Sequence, residues 1–302
     1  MRQKQISYTS DNELHAQILE VFHSVEYRRY INKLGPKIFC QFQRFALVAL
    51  FKRSGKSFRR FVTELYESKW PQWLKLREIP SKSSLHRWFL NMDISVIRDA
   101  LQKTVAETKP SVMSIDTTGI DSWQRSRHYN RRLEQCLKRP VPMPYAKLNV
   151  FIDVETKLIF DHVLRLKPRH DTVSATQIFK RNTGNSLILA DRGYDSEPLH
   201  ELARESGFEM FAPVRKSSRK RPKGHFRRKC MTKHSQYSKR NTVESVIHSL
   251  KAVRLPNLRS RLWWMKKKEC ALAILIYNIE RKIQIVNNQV NIKICISVHI
   301  IY

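Results

Sequence analysis

Residues 111–120 read SVMSIDTTGI and residues 186–191 read SLILAD. Both are strand-length runs of Val, Ile, Leu and Met that carry a single carboxylate, Asp116 in the first and Asp191 at the close of the second. An ionised aspartate among such residues costs much desolvation unless a cation or a hydrogen-bond network meets it. If the two strands are neighbours, both carboxylates reach one end of a sheet, where a divalent cation relieves their repulsion. Working outward, KLNVFIDVET, KLIFDHVLRL and FEMFAPV read as further strands, with helices expected over 171–181 and 196–206. The order is three strands, a helix, a strand, a helix and a strand, which predicts a mixed α/β sheet. Two more helices are expected over 241–253 and 262–285.

Ahead of this region the apolar residues recur at helical spacing, as in Leu14, Ile18 and Phe22, then Phe42, Phe45 and Ala49, then Phe58, Val62 and Leu65. The chain thus divides into a helical domain over 1–110 and an α/β domain over 111–285. In the first, the run SKSSLHRWFL after Pro80 has a Ser cap and then a short helix, with Lys82, His86 and Arg87 on one side and Leu85, Trp88 and Phe89 on another. A helix-turn-helix recognition helix and an ordinary capped amphipathic helix both read this way. The tail 286–302 alternates as a strand would, through Ile292, Ile294, Ile296 and Val298, and has no assigned place.

The 302 residues hold 57 Lys+Arg against 26 Asp+Glu, a net charge of +31 that calls for a polyanionic partner: nucleic acid first, anionic membrane as the competitor. The longest apolar run, CALAILIY from Cys270 to Tyr277, is far short of the roughly 20 residues of a spanning helix. The N-terminal sequence has no apolar signal region, and the five scattered cysteines (Cys40, Cys136, Cys230, Cys270 and Cys295) read as reduced thiols, so a cytoplasmic location is expected. His225, Cys230 and His234 are too sparse a set to argue zinc strongly. The stretch 215–240 packs 12 Lys/Arg and no acid into 26 residues and reads as a mobile basic arm that orders on a phosphate backbone.

A third acid follows that arm. In YSKRNTVESVIHSLK, Tyr237, Arg240, Glu244 and Lys251 are spaced 3, 4 and 7 apart, which from Arg240 onward returns to one helical face. Singly, each acid reads as well as a turn cap or a surface ion pair. The rivals Asp121, Asp153, Asp171 and Asp195 read as turn, strand-edge or helix-cap residues.

Together, IDTTGI, ADRGYDS and the Tyr237-x2-Arg240-x3-Glu244-x6-Lys251 pattern resemble the DDE transposases of prokaryotic insertion sequences, with their Y-x2-R-x3-E-x6-K motif. The resemblance implies a ribonuclease-H-like core with Asp116, Asp191 and Glu244 as catalytic residues holding two Mg²⁺ ions, Mn²⁺ being a substitute. It also implies that Tyr237, Arg240 and Lys251 grip the backbone of the element's end. The partner is double-stranded DNA, with a homodimer formed on it. Arg125, Arg127, Arg131 and Arg132, after the first acidic strand, and Lys82 and Arg87 are candidate DNA contacts. Only 53 residues separate Asp191 from Glu244, too few for the large all-β insertion of some relatives. A nuclease without strand transfer, or a decayed DNA-binding copy, would share most of these features.

Overall fold

A computed structural model describes residues 10–30, 37–122, 127–139, 145–167, 169–215, 222–232 and 234–299. The chain divides into two compact units, residues 1–107 with 271–302, and residues 108–270.

The first unit is helical: α1 (Asp11–His23), α2 (Gln41–Ser54), α3 (Phe58–Glu67), α4 (Trp70–Trp73), α5 (Lys82–Asn91) and α6 (Ile94–Val105), with the later part of a long helix described below. Serine caps start α1, α3 and α5, Ser10, Ser57 and Ser81 each accepting a backbone N–H from the first turn. In α5, Leu85 and Phe89 are buried while Lys82, His86 and Arg87 are exposed, so this helix divides as its sequence predicts.

The second unit is built on a five-stranded sheet in the order β3-β2-β1-β4-β5. Its strands are β1 (Val112–Asp121), β2 (Tyr145–Asp153), β3 (Ile159–Arg165), β4 (Leu187–Ala190) and β5 (Glu209–Phe211). The first three form an antiparallel meander, and β4 and β5 join on the other side of β1 in parallel. The parallel strands need crossovers, supplied by α8 (Asp171–Phe179) and α9 (Glu197–Glu205). One face of the sheet closes over Ile115, Phe151, Ala175, Ile178, Phe179, Ile188 and Phe208, all at or near complete burial. A helix that the spacing did not predict, α7 (Arg127–Leu137), lies between β1 and β2.

Four expectations change. The helix expected over 241–253 is three pieces: a 3-10 turn (Tyr237–Asn241), α11 (Thr242–Ser249) and a π turn (Leu250–Arg254). Arg240, Glu244 and Lys251 therefore do not share one regular helical face. The basic stretch, expected to lack structure, contains α10 (His225–Lys229), with Cys230 buried, while residues 216–221 and 233 lie outside the described residues. The tail is helix, continuous with α12 (Trp263–His299), because the preceding turns already set a helical path and extending it outweighs the strand preference of the β-branched residues. Finally, the boundary drawn at 285 falls at 270 by packing. Asn278 donates to Thr104 Oγ1 at 2.8 Å, Arg53 pairs with Glu280 at 3.1 Å, and Lys282 pairs with Glu20 at 3.2 Å, all within the helical unit. Among the described residues no helix is long and apolar enough to cross a membrane.

One turn is fixed by glycine. Gly207, between α9 and β5, has φ +89°, and a Cβ there would collide with the Gly184 carbonyl oxygen, a backbone atom that cannot swing away. Gly207→Ala should lower stability by about 1–3 kcal/mol in urea unfolding, and a change within error would remove this constraint.

Candidate active site

β1 and β4 are parallel neighbours with Ile115 opposite Ala190, so Asp116 and Asp191 are the next residues along adjacent strands. Asp116 is partly buried, and its carboxyl is raised above the usual carboxylate range. Burial is the chief cause, and the negative charges of Asp191 and Glu244 add to it against the Thr117 N–H and the Arg240 cation. Asp191 opens a short 3-10 turn (Arg192–Tyr194), its Oδ1 accepting from the Gly193 N–H at 2.7 Å.

Glu244 is on the first turn of α11, whose Val243, Val246 and Ile247 are buried. The Arg240 guanidinium lies between elements: it pairs with Glu244 and reaches Asp116 Oδ2 at 3.6 Å. Its side chain is 12% exposed against 56% for Glu244, so the cation is the sequestered partner. Burial alone would lower the guanidinium pKa, but the Glu244 hydrogen bond and the charges of Asp116 and Glu244 outweigh it and the net shift is upward. Ser114 Oγ donates to the Arg240 carbonyl at 3.4 Å and ties this segment to β1. Lys251 turns to the same strand, its Nζ donating to Gly119 O at 2.9 Å and Thr118 Oγ1 at 3.3 Å. Tyr237 packs its ring on Phe211, centroids 5.4 Å apart, and burial pushes its hydroxyl pKa upward.

Beneath the acids lies a polar network that the sequence reading did not single out. Tyr194 is 1% exposed, and its hydroxyl meets Thr117 Oγ1 at 2.8 Å and Asn149 Nδ2 at 3.0 Å. Asn149 also donates to Thr117 Oγ1 at 2.9 Å, across the β1–β2 ladder where the two residues are paired. Burial first, then the charges of Asp171, Asp116 and Asp191, keep the phenol protonated. Tyr194 stands three residues after Asp191 in ADRGYDS, and that spacing was the available signal. Asp171, read as a helix cap, does not cap α8: His170 occupies the cap, and Asp171 pairs with Lys147 at 2.7 Å. An added Cβ on Gly193 would meet both Asp191 and Asp171, so a fourth acid flanks the site.

The Asp191 turn is also clasped. Asp195, its side chain 1% exposed, accepts from Arg227 through both oxygens, at 2.6 and 2.8 Å, and from the Arg215 N–H at 3.0 Å. Arg215 returns hydrogen bonds to the carbonyls of Arg192 and Gly193. Glu197 accepts the N–H groups of Phe226 and Arg227. The described part of the basic stretch is therefore folded against the turn, held by the Asp195–Arg227 pair and by the backbone N–H groups that Glu197 accepts. Cys230 packs with Val112, Leu189 and Phe211, and among the described residues no three His, Cys, Asp or Glu side chains stand at metal-ligating distances. Arg131 and Arg132 are exposed on α7, while the side chain of Arg127, and Arg125 altogether, lie outside the described residues.

The model of the family described as a transposase DDE domain matches residues 107–279, more than half of the chain. The chain belongs to the DDE transposases. It is an enzyme acting on DNA, and enzymes of this family generally use divalent metal ions. Among solved structures, a piggyBac transposase synaptic complex with hairpin DNA aligns over 88% of this chain and 72% of that one, at 12% identity and a TM-score of 0.41. No curated protein sequence matches. As oxygen donors of negative charge, Asp116, Asp191 and Glu244 are of the type that suits a hard divalent cation. Arg240 pairs with Glu244 and reaches Asp116, and among the described residues the three acids do not stand together at metal-ligating distances.

His200, on α9 beside the clasp, supplies a pH test. It is 3% exposed and stacks on Phe226, and no partner meets its Nε2 among the described residues. Burial holds its pKa below the ordinary 6.5, with Arg227 acting the same way and Glu197, Asp195 and the Met210 backbone acting against. The unfolded chain therefore takes up a proton first, and stability, full above 6.5, declines as the pH falls towards the folded value. In thermal melts His200→Gln should flatten that decline between about pH 7 and pH 5, whereas a parallel decline in both proteins would contradict the assignment.

Proposed function

We propose that this transposase binds the ends of an insertion sequence and catalyses DNA strand cleavage and strand transfer through Asp116, Asp191 and Glu244. The observation that supports this most is the Arg240 bridge: one partly buried cation contacts Asp116 and Glu244, 128 residues apart in the chain, while Asp191 follows on the neighbouring strand. Like charges drawn from three elements are costly to a fold and gather where a cation belongs. The sheet order, three antiparallel strands and two parallel ones, supports a ribonuclease-H-like core.

Asp116, Asp191 and Glu244 would hold the divalent ions, two Mg²⁺ in our reading, with Mn²⁺ as substitute. When bound, such ions activate the attacking oxygen and stabilise the leaving one in phosphodiester transfer. The chain's own residues prepare this. The Tyr194, Thr117 and Asn149 network fixes the strands under the two aspartates, and the neutral phenol adds no charge. Arg240 keeps the acids compensated before DNA arrives and would be free to meet a backbone phosphate once the acids hold divalent ions. Lys251 and Tyr237 hold the element's end beside β1, Arg125, Arg127, Arg131 and Arg132 contact the duplex near the acids, and a homodimer assembles on the DNA.

The helical unit supplies recognition of the element's end through α5. Arg87→Ala, at an exposed position, should reduce discrimination between element ends and random duplex by about 1–3 kcal/mol, while Lys82→Ala should weaken binding to both alike. Equal discrimination in competition binding would move recognition elsewhere.

Glu244→Gln keeps the side chain's size and removes its charge. Incubated with Mg²⁺ and duplexes carrying the element's ends, this variant should bind within about twofold of wild type, since affinity rests on many Lys and Arg residues. Cleavage and joining should fall by orders of magnitude. Near-normal cleavage would refute the triad.

A further inference from the structure

The first turn of α12 exposes two adjacent tryptophans that neither the proposed acids nor α5 employs. Trp263 is 55% exposed and Trp264 40%, with Leu262 before them at 44%, whereas Met265 behind them is 5% exposed and anchors the turn. The two indoles stand edge to face, centroids 5.7 Å apart, and Lys267 lies over the Trp263 ring at 4.7 Å. Indole is among the most expensive side chains to leave in water, and two together on a charged surface imply an occupant.

The surroundings state its charge. Residues 259–269 read RSRLWWMKKKE, five cations and one acid. That acid, Glu269, is 3% exposed and faces inward, accepting the backbone N–H groups of Arg259 at 3.1 Å and Ser260 at 2.8 Å. It fixes the approach to the tryptophans and leaves the surface itself cationic. Lys266 donates to the Ser122 carbonyl at 2.7 Å, and the Leu258 N–H donates to the Asp121 carbonyl at 2.8 Å. The patch is thereby tied to the end of β1, the strand that carries Asp116. Five residue steps along the strand take Asp116 to Asp121, about 17 Å, or the length of roughly five stacked nucleotides.

We propose that Trp263 and Trp264 form a stacking platform for unpaired nucleotides of the DNA, a few positions from the phosphate that reacts. A duplex presents only phosphates and base edges to such a surface, whereas an unpaired base offers a face that an indole can cover, with the cations holding the adjoining phosphates. The inference rests on the proposed place of the acids for its purpose, but the binding itself needs neither metal nor catalysis.

The test compares wild type with Trp263→Ala/Trp264→Ala and Trp263→Phe/Trp264→Phe as full-length proteins without divalent metal. Fluorescence anisotropy is read on oligothymidylate of about 12 nucleotides and on a duplex of equal length. The alanine pair should bind the single strand about tenfold or more weakly and the duplex within about twofold, with the phenylalanine pair recovering much of the loss. Equal losses on both DNAs, or none on the single strand, would overturn the platform. So would a wild-type dimer in light scattering that the alanine pair dissolves, which would make the patch a protein interface. Independently of any variant, photocrosslinking of 5-iodouracil single strands to wild type should map to Trp263 or Trp264, and crosslinks confined to other regions would overturn the proposal. If the platform stands while Glu244→Gln still cleaves, the triad fails and this site survives.

Discussion

A partly buried guanidinium between carboxylates from different elements is the constraint on which the catalytic unit depends. Arg240 meets Asp116 on the central strand and Glu244 one turn along its own segment, and its carbonyl is held by Ser114. Without that cation, burial of Asp116 beside the charges of Asp191 and Glu244 would favour separation of the strands' ends. The structure is therefore arranged around surplus negative charge with one internal cation as its counterweight. That arrangement suits a site designed to exchange an internal cation for external ones.

The rest of the unit stiffens the two strands that carry the aspartates. Tyr194 connects the turn after β4 to β1 and β2 through Thr117 and Asn149, so moving Asp191 disturbs a buried hydrogen-bonded network. On the outer side Asp195 and Glu197 grip Arg227, Arg215 and two backbone N–H groups, and so join the basic stretch to the same turn. Phosphate contacts made by that stretch would bear directly on the Asp191 loop.

The sheet was legible in the sequence because strand-length apolar runs alternate with capped helices, whereas the strand order, with β4 beside β1, is given by the structure. Singly the acids were ambiguous, and only their order along the chain and the pattern around Glu244 set them apart from the rival carboxylates. Much else was not legible. The basic stretch looked unfolded because its neutralising acids, Asp195 and Glu197, lie 20 to 32 residues upstream. The tail looked like a strand because β-branched residues alternate there, yet a helix already running from Trp263 continues through them. Lys251 kept its reach towards β1 although a π turn breaks the periodicity that suggested it. Asp171 looked like a cap by position, and only the fold shows His170 in that role.

The central claim is that Asp116, Asp191 and Glu244 converge on shared divalent metal. The most direct measurement loads the protein with Fe²⁺ in place of Mg²⁺, in the presence of end DNA, and generates hydroxyl radicals with ascorbate and peroxide. Backbone scission is then mapped by mass spectrometry. Our account predicts cuts beside all three acids in one sample, each suppressed by excess Mg²⁺. Scission near the aspartates with none near Glu244, or a pattern indifferent to Mg²⁺, would contradict it.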